Sequence, residues 1–196
     1  MPSSRRRPYR KPTPERLENI AVYYLSRYAA SEESLRRVLE NRLRRAKIQD
    51  EAFAADHEAQ ATLRCAIDKI IEKHKNLGAL DDAAFAAMKV RSLRRSGSSA
   101  RRIALYLSQK GVKKDDIASA LSSNEDEGGD SAEQEEEAAR AFARRRGLGP
   151  YRKAGQGARD AQAEAKVRAK EIASLARAGY SYDTAKRVLG AQEEEF

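Results

Sequence analysis

The sequence predicts an all-α fold built from tandem three-helix repeats. Charged residues make up 35% of the 196 residues and hydrophobic residues 40%, so each helix has only a narrow apolar face to bury. Small helical units in a row suit such a composition better than one thick core does. The chain has no run of alternating β-branched residues that would indicate strands. An internal repeat is the third observation behind this prediction.

The stretch from Leu80 to Leu121 predicts three short helices separated by two breaks. Asp81 and Asp82 mark the start of the first helix, because acidic residues favour the positive end of the helix dipole. Paired carboxylates can also perform acid–base chemistry, but a helix start explains these two with fewer assumptions. The helix should run to about Arg95 and stop at Gly97.

The second and third helices of this stretch follow from similar signals. Ser98 or Ser99 caps the second helix, which Gly111 ends, and Asp115 and Asp116 open the third. Apolar residues recur at helical spacing on both helices. They are Ala100, Ile103, Ala104 and Leu107 on the second helix, and Ile117, Ala120 and Leu121 on the third.

The same pattern recurs near the C-terminus. When Gly179 is laid on Gly111, apolar positions align without a gap, which indicates an internal repeat. The aligned pairs are Leu107–Leu175, Val112–Tyr180, Ile117–Ala185, Ala120–Val188 and Leu121–Leu189. The alternative is that any two amphipathic helix pairs with a glycine between them align in this way. We expect both glycines to be structural turns with a left-handed backbone.

The helices before the central stretch form a degenerate first copy of the repeat. Thr13 caps a helix that starts near Pro14, and Ser31 caps a second one. Asp50 begins an unusually long third helix, which should end at about residues 76–78. No glycine stands between the second and third helices, and for this reason the copy is degenerate.

The predicted organisation of the whole chain follows from these helices and from shifts in composition. The segments are a disordered basic arm (1–14), a degenerate first repeat with a long third helix (15–78), the central repeat (79–122), a flexible acidic linker (123–137), a third repeat with a Gly-rich loop at 147–157 (138–190) and a tail (191–196). Within the third repeat, helices are expected from about Ala158 to Ala178 and from Ser181 to Leu189.

The charge balance of the chain points to an anionic partner. The formal net charge is +9, although the short stretch from Glu125 to Glu137 contains eight acids and no base. A basic body of this kind suggests nucleic acid or a nucleoprotein. The alternative is that the charge only keeps the protein in solution.

Catalytic, metal and cofactor sites find little support in the sequence. The two histidines, His57 and His74, are too far apart for metal-ligand spacing on one helix, and Cys65 is the single cysteine. Neither a phosphate-binding GxxxxGK[ST] motif nor GxSxG occurs, and no strand precedes the glycines of 147–157. We therefore predict a non-enzymatic protein without cofactors. No apolar run is long enough to span a membrane, and we expect a cytoplasmic monomer.

A cluster of basic residues is the strongest candidate for a binding face. On the helix that ends at Arg95, the arginines fall opposite the apolar side of Phe85, Val90 and Leu93. The predicted face comprises Arg91, Arg94, Arg95, Arg101, Arg102, Lys110, Lys113, Lys114, Arg144, Arg145 and Arg146. The alternative is an ordinary solvated helix surface. The stretch 100–121 also has the form of a helix-turn-helix, but Asp115 and Asp116 disfavour entry of its last helix into a DNA groove.

Two segments resemble the RecX family of regulatory proteins. The segment LDDAAFAAMKVRSLRRSG, continuing through ARRIALYLSQKGV to IASAL, is similar to the central repeat of that family. The segment RAGYSYDTAKRVL resembles the end of its last repeat. The long third helix of the first repeat, the acidic insertion and the Gly-rich loop depart from the family pattern.

The resemblance implies both a fold and a function. The fold would be a curved, elongated array of three-helix units without catalytic residues. The function would be to bind the RecA recombinase filament and to modulate it, usually by inhibiting strand exchange and the coupled ATP hydrolysis. The charge of the basic surface adds single- or double-stranded DNA as a further candidate partner. The alternative is a stand-alone nucleic-acid-binding helical protein that acts without RecA.

Overall fold

A computed structural model describes residues 10–128, 130–153 and 160–190, and for residues 124–128 it describes the backbone alone. Within these residues the chain has no strand, so the all-α prediction is confirmed. The helices are α1 (Pro14–Leu25), α2 (Glu32–Gln49), α3 (Glu51–Ala55), α4 (His57–Asn76), α5 (Asp82–Arg95), α6 (Ala100–Gln109), α7 (Lys114–Gly128), α8 (Ser131–Arg146), α9 (Ala161–Arg177) and α10 (Tyr182–Gly190). Two compact units, Met1–Phe85 and Ala86–Phe196, divide the chain within α5.

Side-chain caps fix the starts of several helices where the sequence predicted them. The Thr13 hydroxyl accepts a hydrogen bond from the backbone N–H of Arg16 and begins α1. The Ser31 hydroxyl begins α2 in the same way. Of the two serines considered for α6, Ser99 is the cap, since its hydroxyl accepts from the backbone N–H of Arg102. Each cap satisfies a backbone donor that the helix itself leaves unpaired.

The predicted long third helix of the first repeat is wrong in one respect, because Asp56 divides it into α3 and α4. The Asp56 backbone is non-helical, and its carboxylate accepts a hydrogen bond from the N–H of Ala59 to start α4. Gln60 is buried, and its side-chain amide donates to the carbonyl oxygens of Phe53 and Ala54 at 2.9 Å each. The break is stabilised on both sides, because carbonyl groups at the end of α3 and an N–H at the start of α4 have hydrogen-bond partners.

In the first unit, helices α1, α2 and α4 pack around a single hydrophobic core. Leu17, Leu35 and Leu39 are fully buried at its centre, and Ile67 reaches it from α4. Phe53 of the short helix α3 closes one side of the core. Leu35 and Leu39 lie four positions apart on α2, so one face of that helix packs into the core.

In the second unit, the aligned turns of the internal repeat have the same backbone geometry. Gly111 and Gly179 have φ values of 79° and 98°, the left-handed conformation predicted for them. The backbone N–H of the residue after each glycine donates to the carbonyl oxygen of a fully buried leucine. Val112 donates to Leu107 at 3.1 Å, and Tyr180 donates to Leu175 at 3.2 Å. This hydrogen bond is the signature of a helix that ends on a left-handed residue.

The acidic segment expected as a flexible linker over 123–137 is helical on both sides of residue 129. Helix α7 continues to Gly128, and α8 already begins at Ser131. The backbone of the acidic residues therefore extends α7 and forms the first turns of α8. Glutamates are strong helix formers, which offsets the effect of the interrupting glycines.

The Gly-rich loop turns back onto α9 through one arginine. Gly149–Tyr151 form a single 3-10 turn, and Arg152 follows it. The Arg152 guanidinium donates to both carboxylate oxygens of the buried Glu171 at 2.7 Å and to Glu164 at 2.6 Å. These hydrogen bonds raise the pKa of Arg152, that to Glu171 contributing most. The rest of the predicted break, residues 154–157, lies outside the described part of the chain, as do residues 158–159 at the predicted start of the next helix, residues 1–9 of the basic arm and the tail.

Candidate functional site

Most of the basic residues predicted as a binding face are exposed. Those with exposed side chains are Arg91, Arg95, Arg101, Arg102, Lys113, Lys114, Arg144, Arg145 and Arg146. Lys110 is half-buried, and its ammonium lies 5.6 Å from the centre of the Tyr106 ring. Among the residues that the structure describes, none of the nine exposed ones forms an ion pair with a carboxylate.

Arg94 is the exception, and the expectation that it faces outward is wrong. Only 8% of this residue is exposed, and its guanidinium forms an ion pair with Glu135 of α8. The Glu135 carboxylate also accepts a hydrogen bond from the backbone N–H of Ala100 at 3.0 Å. Glu135 therefore neutralises Arg94 and supports the start of α6 at once. It comes from the acidic segment, whose contacts cannot be read from spacing along α5.

Helix α8 also holds the turn between α5 and α6 through backbone contacts. The Arg145 guanidinium donates to the carbonyl oxygen of Ser96 at 2.7 Å. Gly97, with φ of 75°, lies so close to α8 that a Cβ atom there would be 2.6 Å from the backbone nitrogen of Phe142. Only glycine fits this position.

The end of α9 completes this buried region, which we call the α5–α6 junction (Arg94, Gly97, Ser99, Glu135 and Tyr180). Ser99 is fully buried and donates its hydroxyl to the carbonyl oxygen of Ala178 at 2.7 Å. Within the described residues, the buried Tyr180 hydroxyl has no hydrogen-bond partner. Burial raises the pKa of Tyr180, and the negative charge of Glu135 adds to this effect. The junction is thus a buried element that joins the start of α6 to α8 and to the end of α9.

The outward side of α6 has a different character. Leu105 is 60% exposed, and Arg101 lies one helical turn before it. Arg102 is exposed beside them. We call these three residues the α6 face. An exposed large apolar side chain among cations is suited to a protein surface that offers both apolar and acidic groups.

Helix α2 of the first unit has the same arrangement, which the sequence analysis missed. Arg44 and Arg45 are exposed, and Ile48 is 79% exposed one turn later. The spacing of two arginines followed by an aliphatic residue, RRAKI here and RRIAL in α6, is visible in the sequence. The sequence did not show that both aliphatic residues face the solvent.

The three arginines at the end of α8 lie against aromatic rings. The guanidinium carbon of Arg144 is 5.3 Å from the centre of the Tyr151 ring, and that of Arg146 is 5.4 Å from the Phe142 ring. These contacts order the side chains of Arg144 and Arg146 and leave their hydrogen-bond donors available. Of the three, only Arg145 donates a hydrogen bond within the described structure, to Ser96.

Catalytic, metal and phosphate sites find no geometric support in the part of the chain that the structure describes. It contains no group of three or more potential metal ligands and no helix long and apolar enough to cross a membrane. The Gly149 N–H, a candidate phosphate donor, donates to the Glu171 carboxylate at 3.1 Å. His74 is buried, with its Nε2 atom 3.4 Å from Glu18, whereas His57 is exposed at the start of α4.

Comparison with known proteins identifies similar chains of one kind. A family model described as the second three-helix domain of RecX matches residues 81–121. A regulatory protein RecX from Myxococcus xanthus is 39% identical over 181 residues, which cover 92% of this chain and 87% of the relative. One from Agrobacterium fabrum is 36% identical over 117 residues, or 60% of this chain and 55% of the relative.

Solved structures agree with this fold. The crystal structure of RecX from Lactobacillus salivarius superposes with a TM-score of 0.60 at 19% identity, covering 90% of this chain and 94% of that one. A second crystal structure, of a regulatory protein RecX, gives a TM-score of 0.54 at 23% identity and covers 91% of this chain and 72% of that one.

Proposed function

Because the chain belongs to the RecX family of regulatory proteins, we propose that it binds the RecA nucleoprotein filament and inhibits its recombinase and DNA-dependent ATPase activities. It does so as a cytoplasmic monomer that performs no chemistry of its own. Tandem helical repeats suit an extended helical target, because each repeat can offer a surface of its own.

The observation that carries this proposal is the composition of the α6 face. A surface built only for phosphates needs cations and polar donors, and gains nothing from an exposed leucine. On the surface of α6, Leu105 lies between Arg101 and Arg102, and this combination fits a protein partner that offers apolar and acidic groups together. The start of α7 supports the same choice, because Asp115 is exposed there and repels phosphates.

The recurrence of the same element on α2 favours a partner with repeated subunits. Arg44, Arg45 and Ile48 reproduce the spacing and the exposure of the α6 face in the other unit. A filament of identical protomers presents one surface many times, so two like elements can each engage a protomer. Two weak contacts joined in one chain bind far more tightly than either does alone.

The second candidate function is that of a stand-alone nucleic-acid-binding protein. The exposed cations on α5, α7 and α8 favour it, because arginine and lysine bind phosphates as readily as carboxylates. Either function makes binding weaker at high salt. Salt dependence alone therefore does not separate the two.

A matched pair of variants does separate them. In the α6-face variant, Arg101, Arg102 and Leu105 are replaced by alanine. In its control, Arg64, Lys69 and Leu77 of the first unit are replaced, which removes the same charges and a leucine that is 67% exposed. Affinity is measured for RecA filaments and for bare single-stranded DNA at one salt concentration, after helicity has been checked by circular dichroism.

We expect the α6-face variant to lose about tenfold or more in affinity for the filament, since a total loss of about 1.4 kcal/mol over the three residues is enough for a factor of ten and arginine is enriched among residues that dominate binding. The control should keep its affinity. If both variants bind filaments as the wild type does, the α6 face is not the contact. If the wild type binds bare DNA as tightly as filaments, the stand-alone function replaces the proposed one.

A further inference from the structure

The end of α1 carries a cluster of aromatic side chains that the basic binding face does not include. Tyr23 is 61% exposed and Tyr28 is 57% exposed. Arg27 is exposed between them in the sequence. Exposed aromatic side chains that lie close together in the sequence are typical of a binding site, because leaving them in water does not stabilise the folded protein.

The cluster is ordered by two contacts between residues four positions apart. The ring centres of Tyr24 and Tyr28 are 5.2 Å apart, and Tyr24 itself packs against the core of the first unit. The guanidinium carbon of Arg27 lies 4.7 Å from the centre of the Tyr23 ring. The core thus supports Tyr28 through Tyr24, and the stacked arginine restrains Tyr23. Planar groups held in advance lose little conformational freedom when a ligand binds.

The charge around the cluster selects the kind of ligand. From Asn19 to Ala30 the chain has no carboxylate, and Arg27 is its one charged residue. The nearest acids along the chain are already in ion pairs, Glu18 with Lys73 at 2.7 Å and Glu32 with Lys75 at 3.1 Å. A ligand with flat rings and negative charge meets both requirements.

We propose that Tyr23, Arg27 and Tyr28 form a stacking platform for the bases of single-stranded DNA. Every base has a π-face that stacks on tyrosine or on a guanidinium plane, and the phosphates of the strand are attracted by Arg27. A duplex does not fit this platform, because its bases are already stacked on one another. The platform lies on the first unit and requires no contact with RecA, so it goes beyond the proposed function.

A fluorescent reporter tests the stacking directly. The chain contains no tryptophan, so in a Tyr23→Trp variant of the full-length protein the tryptophan emission comes from the platform alone. The matched control is Tyr182→Trp on α10, where the native tyrosine is 62% exposed. Oligothymidine is titrated into each variant. We expect clear quenching in the Tyr23→Trp variant and little in the control; equal quenching in both, or none in either, overturns the proposal.

Affinity for oligothymidine supplies the second readout. Replacing Tyr23 and Tyr28 by alanine should weaken binding about tenfold or more, whereas replacing both by phenylalanine should preserve it, because stacking needs the ring and not the hydroxyl. If the alanine variant binds oligothymidine normally but loses affinity for RecA filaments, the cluster is a protein-docking site and the proposal is wrong. The α6-face variant should show normal quenching when combined with Tyr23→Trp, so failure of the RecA proposal leaves this test intact.

Discussion

The α5–α6 junction and the α6 face contain arginines that lie within eight positions of each other in the sequence but have opposite roles. In the junction, Arg94 is buried and neutralised by Glu135. On the α6 face, Arg101 and Arg102 are exposed and, among the described residues, form no ion pair. The difference teaches that the role of an arginine here depends on whether a carboxylate from a distant segment reaches it.

The comparison predicts opposite responses to mutation. Changes in the junction should reduce the free energy of unfolding, because its polar groups are buried and depend on one another. Changes on the α6 face should leave stability alone and reduce binding. Four predictions, from the largest expected effect to the smallest, test this separation.

The largest loss of stability is expected when Glu135 is replaced by alanine. Arg94 would remain buried without its counter-charge, and the Ala100 N–H would lose its acceptor. Removing one partner of such a pair should cost about 3 kcal/mol in the free energy of unfolding, measured in urea. Glu137→Ala, at an exposed position beyond the first turn of the same helix, is the control and should cost less than about 0.5 kcal/mol. Equal losses in the two variants would show that the junction is not a coupled unit.

The second loss is expected for Gly97→Ala. The new Cβ would lie 2.6 Å from the Phe142 nitrogen, so α8 must move in addition to the strain of a positive φ. We expect a loss of about 2–3 kcal/mol. Gly78 has a similar φ of 69° with no atom within 4 Å of its Cβ position, so Gly78→Ala should lose only about 1 kcal/mol. Thermal melting of both variants gives the comparison. If Gly78→Ala lost as much stability as Gly97→Ala, the close approach of α8 to Gly97 would not explain the loss.

The third loss is expected for Gly111→Val, which tests the repeat itself. Valine at a φ of 79° should cost about 1–2 kcal/mol. The equivalent Gly179→Val should cost more, because its Cβ would also lie 2.5 Å from the Ser99 hydroxyl oxygen. If Gly111→Val melted at the same temperature as the wild type, Gly111 would not be a left-handed residue that ends α6.

The smallest change in stability is expected on the exposed side. The double variant Arg91→Ala and Arg95→Ala should alter the free energy of unfolding by less than about 0.5 kcal/mol, because both side chains are exposed. Its affinity for RecA filaments should nevertheless fall, by less than that of the α6-face variant. Arg94 is left intact, since its loss would confuse unfolding with binding. A large drop in melting temperature would show that these arginines belong to the junction.

The sequence alone predicted the helices well because their signals are local. Thr13, Ser31 and Asp81 mark helix starts, and Gly97, Gly111 and Gly179 mark helix ends, through contacts within a few residues. The site was predicted less well. The burial of Arg94 depends on Glu135, which is 41 positions away, so spacing along α5 does not show it. The division of α3 from α4 was also missed, although the Asp56 cap is a local contact.

The measurement that tests the central claim most directly is the DNA-dependent ATP hydrolysis of RecA in the presence of this protein. At amounts well below one molecule per RecA protomer, the wild type should lower the rate, because one molecule with two like elements can engage more than one protomer. The α6-face variant should restore most of the rate, and the Arg64, Lys69 and Leu77 control should inhibit as the wild type does. An unchanged rate with the wild type, or equal inhibition by the α6-face variant, would contradict the account.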